Sequence, residues 1–138
     1  MSANQPSEVA KSWLQRAHSD LALGNVALAT PGVMLEDACF HAQQCAEKAL
    51  KGLLVFLEID FPRTHAIEVL LDLLKNKGVA IPEDVDEAFE LSQYAVQSRY
   101  PGIWEAVTRQ EADNALTLAS LVLKWVERQI LGVDLYRS

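Results

Sequence analysis

Three stretches of the sequence carry residues whose types and spacing suit chemistry. His41, Gln44, Lys48 and Lys51 recur so that a helix would align them in one polar stripe, flanked by Gln43 and Glu47. The two ammonium groups and the imidazole form a cationic set able to bind an anion such as a nucleotide phosphate. The same spacing equally describes a solvated face, on which Glu47 and Lys51 make an ordinary i, i+4 pair worth about 0.3–0.5 kcal/mol. Thr64-His65 is the second stretch: Thr64 suits a helix cap, and His65 after it is either a first-turn surface residue or an imidazole available for proton work. The third is Ser98-Arg99-Tyr100-Pro101-Gly102. Arg99 can hold a phosphate through two hydrogen bonds, with Pro101 stiffening the backbone beside it. The competing role for Arg99 is to satisfy the last carbonyls of a helix, with Tyr100 packed on the bundle. No Gly-rich phosphate loop, His-Glu-x-x-His pair or nucleophile elbow is present.

The elements that must position these residues are helices. The longest runs from Val33 to Ile59, where Ala42, Ala46, Ala49, Leu53 and Phe56 return to one face. That seam lets a neighbour approach closely at its alanine end and holds it off at the Leu/Phe end. A preceding helix starts near Ser7 and carries Ala10, Trp13, Leu14, Ala17, Leu21 and Gly24 on one face, until Thr30-Pro31-Gly32 turns the chain. So short a connection makes the two an antiparallel pair. A third helix, His65 to about Lys77, is capped by Thr64, buries Ile67, Leu70, Leu71 and Leu74, and closes at Gly78. A fourth starts at Pro82 and runs to about Arg99, because Tyr100 precedes Pro101. Thr108 and Glu111 form a capping box that opens a fifth, ending at Leu131 before Gly132. No strand-period stretch or repeat interrupts this pattern, so the expected fold is all-α, an up-and-down bundle of four to five helices in a single domain with its core over about 7–131.

Composition narrows the function. The chain has 138 residues, half of them hydrophobic, and a net charge of −7, which argues against a broad nucleic-acid grip and leaves room only for a local basic patch. Cys39 and Cys45 are its two cysteines; six residues apart on one helix, they lie roughly 9 Å apart along the axis and about 120° apart around it, beyond disulfide reach. They read as small apolar fillers in a reducing cytoplasm, and neither they nor the histidines have a zinc spacing. No apolar run is long enough for a membrane span or a signal core, so a cytoplasmic protein with no membrane association and no cofactor or metal is expected. Leu54, Val55, Leu57, Val96 and Ile103 extend the core stripes and are apolar side chains available for a dimer interface.

The run Cys39-Phe40-His41-Ala42-Gln43-Gln44-Cys45-Ala46-Glu47-Lys48-Ala49-Leu50-Lys51-Gly52-Leu53-Leu54 resembles the core segment of HEPN domain proteins. Trp13 followed by Ala17 and Asp20-Leu21, the turn Pro62 to His65, Arg99-Tyr100-Pro101, and Trp125-Val126 in the last helix occur in the order that family shows, from about Val9 to Leu131. The resemblance implies a helical homodimer. Many members are metal-independent ribonucleases whose motif is an Arg, an adjacent polar residue and, after about four to six intervening positions, a His; others pair with a minimal nucleotidyltransferase as toxin and antitoxin. The motif Arg maps to Arg99, but the positions eligible for the His hold Trp104, Glu105 and Ala106. Arg16, Arg63 and Arg109 also lack a His at that spacing.

The resemblance and the missing His together point to a noncatalytic nucleotide- or RNA-phosphate-binding module that works with a minimal nucleotidyltransferase. Its site residues would be Arg99, Tyr100, Lys48 and Lys51, with His41 or His65 as auxiliary donors. The alternatives are a ribonuclease with a rearranged site, Arg99 with His41 or His65 from another helix, and a purely structural dimerisation module.

Overall fold

The structure, a computed structural model, describes residues 5–97 and 105–132. Within them the chain is helical with no strand: α1 Pro6–Ala29, α2 Leu35–Phe56, α3 Ile67–Asn76, α4 Glu83–Asp86, a 3₁₀ segment Glu87–Gln93, α5 Tyr94–Gln97 and α6 Arg109–Leu131. The first helix opens one residue before Ser7, with Gln5 at the N-cap position and Pro6 in the first turn, because the ring pre-sets the helical φ and removes an N–H that would have no partner there. Pro31 and Gly32, the latter at φ 90°, follow as the pattern of a type II turn, closed by the Val33 N–H donating to the Thr30 carbonyl at 3.2 Å. α1 and α2 therefore pack antiparallel, as their short connection requires.

Small residues set how close that pair comes. Ala10, Ala17 and Gly24 on α1, and Ala38, Ala42 and Cys45 on α2, are buried at the seam. A Cβ on Gly52 would sit 3.0 Å from Trp13 Cβ and 3.3 Å from the Ala10 carbonyl oxygen, and one on Gly24 would meet Leu116 Cδ2 at 2.5 Å. α6 packs against both α1 and α2: its Leu116 reaches Gly24, and its Ala119 carbonyl lies 3.9 Å from the Cys45 thiol. α3 closes the core with Ile67, Leu70, Leu71 and Leu74, all buried.

Helix ends follow the expected chemistry in three places. Thr108 and Glu111 form the reciprocal capping box, and α6 stops at Gly132 with φ 68°. Gly78, at φ 85°, ends α3 with its own N–H on the Lys75 carbonyl and that of Val79 on Leu74. α2 ends in the same motif on a residue unsuited to it: Glu58 takes φ 58°, with its N–H on Val55 and that of Ile59 on Leu54.

Three expectations are corrected. α3 starts at Ile67 rather than His65, and its N-terminus is not capped by Thr64, whose hydroxyl instead takes the Ala66 N–H at 3.0 Å. The Ile67 N–H is taken by Ser92 Oγ at 2.9 Å, and that hydroxyl donates to Glu68 at 2.7 Å, so the cap comes from the 3₁₀ segment. Nor is the fourth helix continuous. Val85, Ala88, Leu91 and Tyr94 are buried at every third position, with Ala95 beside the last, and a spacing of three lines up on one face only when the helix tightens to three residues per turn. Leu54, read as an apolar residue available for an interface, is fully buried in the core.

Two substitutions test these backbone arguments. Gly52→Ala is expected to lower the unfolding free energy by about 1–2 kcal/mol, as overpacking against the α1 backbone outweighs the roughly 1 kcal/mol helix-propensity advantage of alanine. Glu58→Gly is expected to raise it by about 1 kcal/mol by relieving the left-handed conformation. Urea denaturation of both variants checks the opposite signs.

Candidate functional site

The polar stripe of α2 is not a solvated face. Glu47 and Lys51 are buried, at 3% and 8% exposure, and so is Gln43. The stripe is closed over by α1 on one side and by residues 57–66 on the other: the Lys51 ammonium lies 5.9 Å from the Trp13 ring and 5.8 Å from that of Phe61.

Two buried carboxylates organise the stripe. Glu47 Oε2 accepts from Lys51 Nζ at 2.9 Å, while Oε1 accepts from Gln43 Nε2 at 2.9 Å and lies 3.0 Å from His65 Nδ1. Burial works to raise the pKa of this carboxyl, and the hydrogen bonds from Gln43, Lys51 and His65, with the charge of Lys51, overcome it and hold the group below its ordinary value of 4.5. Gln43 also donates to the His65 carbonyl at 3.0 Å and accepts from Gln44 Nε2 at 2.7 Å, so its amide is fully used. The second carboxylate, Asp20, comes from α1. Its Oδ2 accepts from Lys48 Nζ at 2.6 Å and its Oδ1 lies 2.9 Å from His41 Nδ1.

Four of the six residues singled out in the sequence are thus brought into two neighbouring clusters: Lys51 and His65 on Glu47, Lys48 and His41 on Asp20. They differ in access. The His65 side chain is 59% exposed, those of His41 and Lys48 are about a quarter exposed, and that of Lys51 is almost enclosed. Arg99 and Tyr100 lie outside the described residues. Arg16, exposed on α1, lines a cavity of about 330 Å³ with Val9, Ser12 and the Trp13 ring. A second cavity, about 580 Å³, is rimmed by Glu68, Glu90 and Glu111, carboxylates that disfavour a phosphate there.

Sequence reasoning passed over Asp20 as a partner of the stripe and the pair His18–Glu127 altogether. Glu127 on α6 is buried; its Oε2 lies 2.8 Å from His18 Nε2, and its Oε1 has no hydrogen-bond partner among the described residues. The signal was available: Asp20 interrupts the buried run Ala10, Leu14, Ala17, Gly24, and Glu127 follows Leu123 by one turn on the core side of α6. The thiols behave as fillers. Burial pushes Cys45 up to about 12, with Asp20 and Glu127 adding to the rise, and Cys39 likewise to about 12, so neither offers a thiolate.

The Glu47 cluster carries a pH dependence with a definite sign. Its carboxyl is held below the unfolded value, so its contribution to stability is full above 4.5 and is lost as pH falls through the folded value. Stability measured by urea denaturation should therefore decline below about pH 4.5 with a slope that Glu47→Gln reduces. At neutral pH the same variant leaves the Lys51 ammonium buried without its counter-charge and should lose about 3 kcal/mol.

The same fold recurs in known proteins. The HEPN domain family model matches residues 10–129. The chain is 29% identical over 136 residues to "Putative toxin MJ1304" of Methanocaldococcus jannaschii, covering 86% of each. Among solved structures it resembles ST0689, an archaeal HEPN homologue, with 35% identity and a TM-score of 0.70 over 88% of this chain and 97% of that one. It resembles TT1696 from Thermus thermophilus with 37% identity and a TM-score of 0.73, over 87% and 97%. A shared fold over nearly the full length of both solved relatives, with more than a third of the residues identical, agrees with the family model, and the chain belongs to the HEPN domain family.

Proposed function

We propose that this HEPN protein is one half of a toxin–antitoxin-like pair, a homodimer that partners a minimal nucleotidyltransferase and holds a nucleotide or RNA phosphate without cleaving it. The observation that carries the phosphate site is His65: its ring is anchored at 3.0 Å to a buried carboxylate while most of the side chain faces solvent. Such a group is fixed in direction before a ligand arrives, so little conformational entropy is lost on binding. Lys48, partly exposed in the polar stripe of α2 and held by Asp20, is the second contact, and Arg99 with Tyr100 completes the set. The pairing with a second protein is supported by the toxin assignment of the M. jannaschii relative. Homodimerisation is supported by apolar side chains left exposed at Leu23, Val26 and Met34 near the α1–α2 turn, and at Leu57 and Val96.

One observation favours a second reading. A His tied through Nδ1 to a buried carboxylate is also the arrangement of a general base. A ribonuclease using Arg99 and His65 would need no His at the family's usual spacing.

Titration of the purified protein with ATP and with a short single-stranded RNA, following both binding and products, separates the two. The binding reading expects complex formation without turnover, with Arg99→Ala and His65→Ala each weakening it about 10- to 100-fold, the loss of a charge-assisted hydrogen bond of about 1.5–3 kcal/mol. RNA cleavage that both substitutions abolish would instead establish the enzyme. No binding of either ligand, and no nucleotidyltransferase copurifying with the protein, would remove the proposal.

A further inference from the structure

We propose that Glu47 is a positioning residue for His65: it holds the Nδ1–H of the ring and so presents a bare Nε2 to the phosphate site. The inference rests on the reading of His65 as a ligand-side group and adds how that group is oriented and which of its nitrogens works.

The geometry sets this up with two separate tethers. Glu47 Oε1 holds the ring at 3.0 Å, and Gln43 Nε2 holds the backbone of the same residue through its carbonyl at 3.0 Å. Both tethers arise from one buried turn of α2, because Gln43 also donates to Glu47 Oε1 at 2.9 Å. The next residue is fixed as well, its N–H held by Thr64 Oγ1. An ionised carboxylate accepts and never donates, so the proton shared between Glu47 and His65 belongs to the imidazole at Nδ1. Oε2 is committed to Lys51 at 2.9 Å, which orients the carboxylate and leaves Oε1 to the ring and Gln43.

One orientation then serves both charge states. Neutral, the ring offers Nε2 as a proton acceptor to a hydroxyl or a water. Protonated, it donates from Nε2 to a phosphate oxygen without turning, because Nδ1 keeps its partner. A ring whose Nδ1 instead accepted from a donor would carry its proton at Nε2 and present a donor in both states and no acceptor at all.

The tautomer can be read directly. Long-range ¹H–¹⁵N spectra of the ¹⁵N-labelled full chain are recorded well above the imidazole titration range, with His65→Gln identifying the signals of this ring. The expected result is a protonated Nδ1 and a bare Nε2, and a ring that responds to added AMP. In Glu47→Gln the ring should lose this bias and drift to the mixture of a free imidazole, in which the Nε2–H form prevails. Should that variant not fold, Glu47→Asp, whose carboxylate is one methylene short of the ring, takes its place and should weaken the bias. A wild-type ring in the Nε2–H form or as a free mixture overturns the positioning role whatever AMP does, and so does an unchanged bias in a folded Glu47 variant. An Nδ1–H ring that AMP leaves unmoved supports the positioning role and counts against the phosphate reading, so the two fail separately.

Discussion

A carboxylate inside a helical bundle is stable only when its lone pairs find donors, and the requirement at Glu47 shapes everything around it. Two of its donors, Gln43 and Lys51, stand one turn before and after it on α2. The third, His65, comes from the segment that follows α2, which must fold back along the helix to deliver it. That return brings Phe61 over Lys51, opposite Trp13 of α1, so the aliphatic stem and charge of the lysine end between two aromatic rings. Removing the carboxylate would leave a buried ammonium and an imidazole without its anchor.

Asp20 does for α1 what Glu47 does for the loop. Apolar seams of alanine and glycine set the distance between helices but say little about register, since one small residue substitutes for another along the groove. The bonds from Asp20 to His41 and Lys48 are directional and fix how α1 slides on α2. Near opposite ends of the pair the resulting register leaves little room: a Cβ on Gly24 would lie 3.3 Å from the Ala38 carbonyl oxygen, and one on Gly52 3.3 Å from that of Ala10. Glu127 is the third buried carboxylate of the set, with one oxygen on His18 and the other without a hydrogen-bond partner among the described residues.

Local chemistry made most of the fold legible. The capping box at Thr108 and Glu111, the glycines at 78 and 132 and the proline turn at 31 are readable because each acts through its own backbone. The 3₁₀ segment was equally written in the chain, since Val85, Ala88, Leu91 and Tyr94 stand three apart, but a helical template of 3.6 absorbs such a run without complaint. The polar stripe was misjudged for a different reason. Periodicity tells which residues share a face and not what lies opposite, and the neighbours of His41, Lys48 and Lys51 come from Asp20, Trp13 and Phe61, remote in sequence. The pairing of His65 with Glu47, 18 positions apart, has no local signature at all.

The internal pairing also decides how a phosphate would be held. Lys48 and Lys51 already face Asp20 and Glu47, so the two clusters are close to neutral, and an anion approaching Lys48 meets the charge of Asp20 as well. Long-range attraction at this site is therefore weak, in keeping with a chain of net charge −7. What the clusters supply instead is direction: an imidazole and an ammonium whose positions are set before the ligand arrives. Few phosphates would be neutralised in such a contact, so its affinity would fall only gently with salt, and discrimination would come from short-range geometry around His65 rather than from the number of charges engaged.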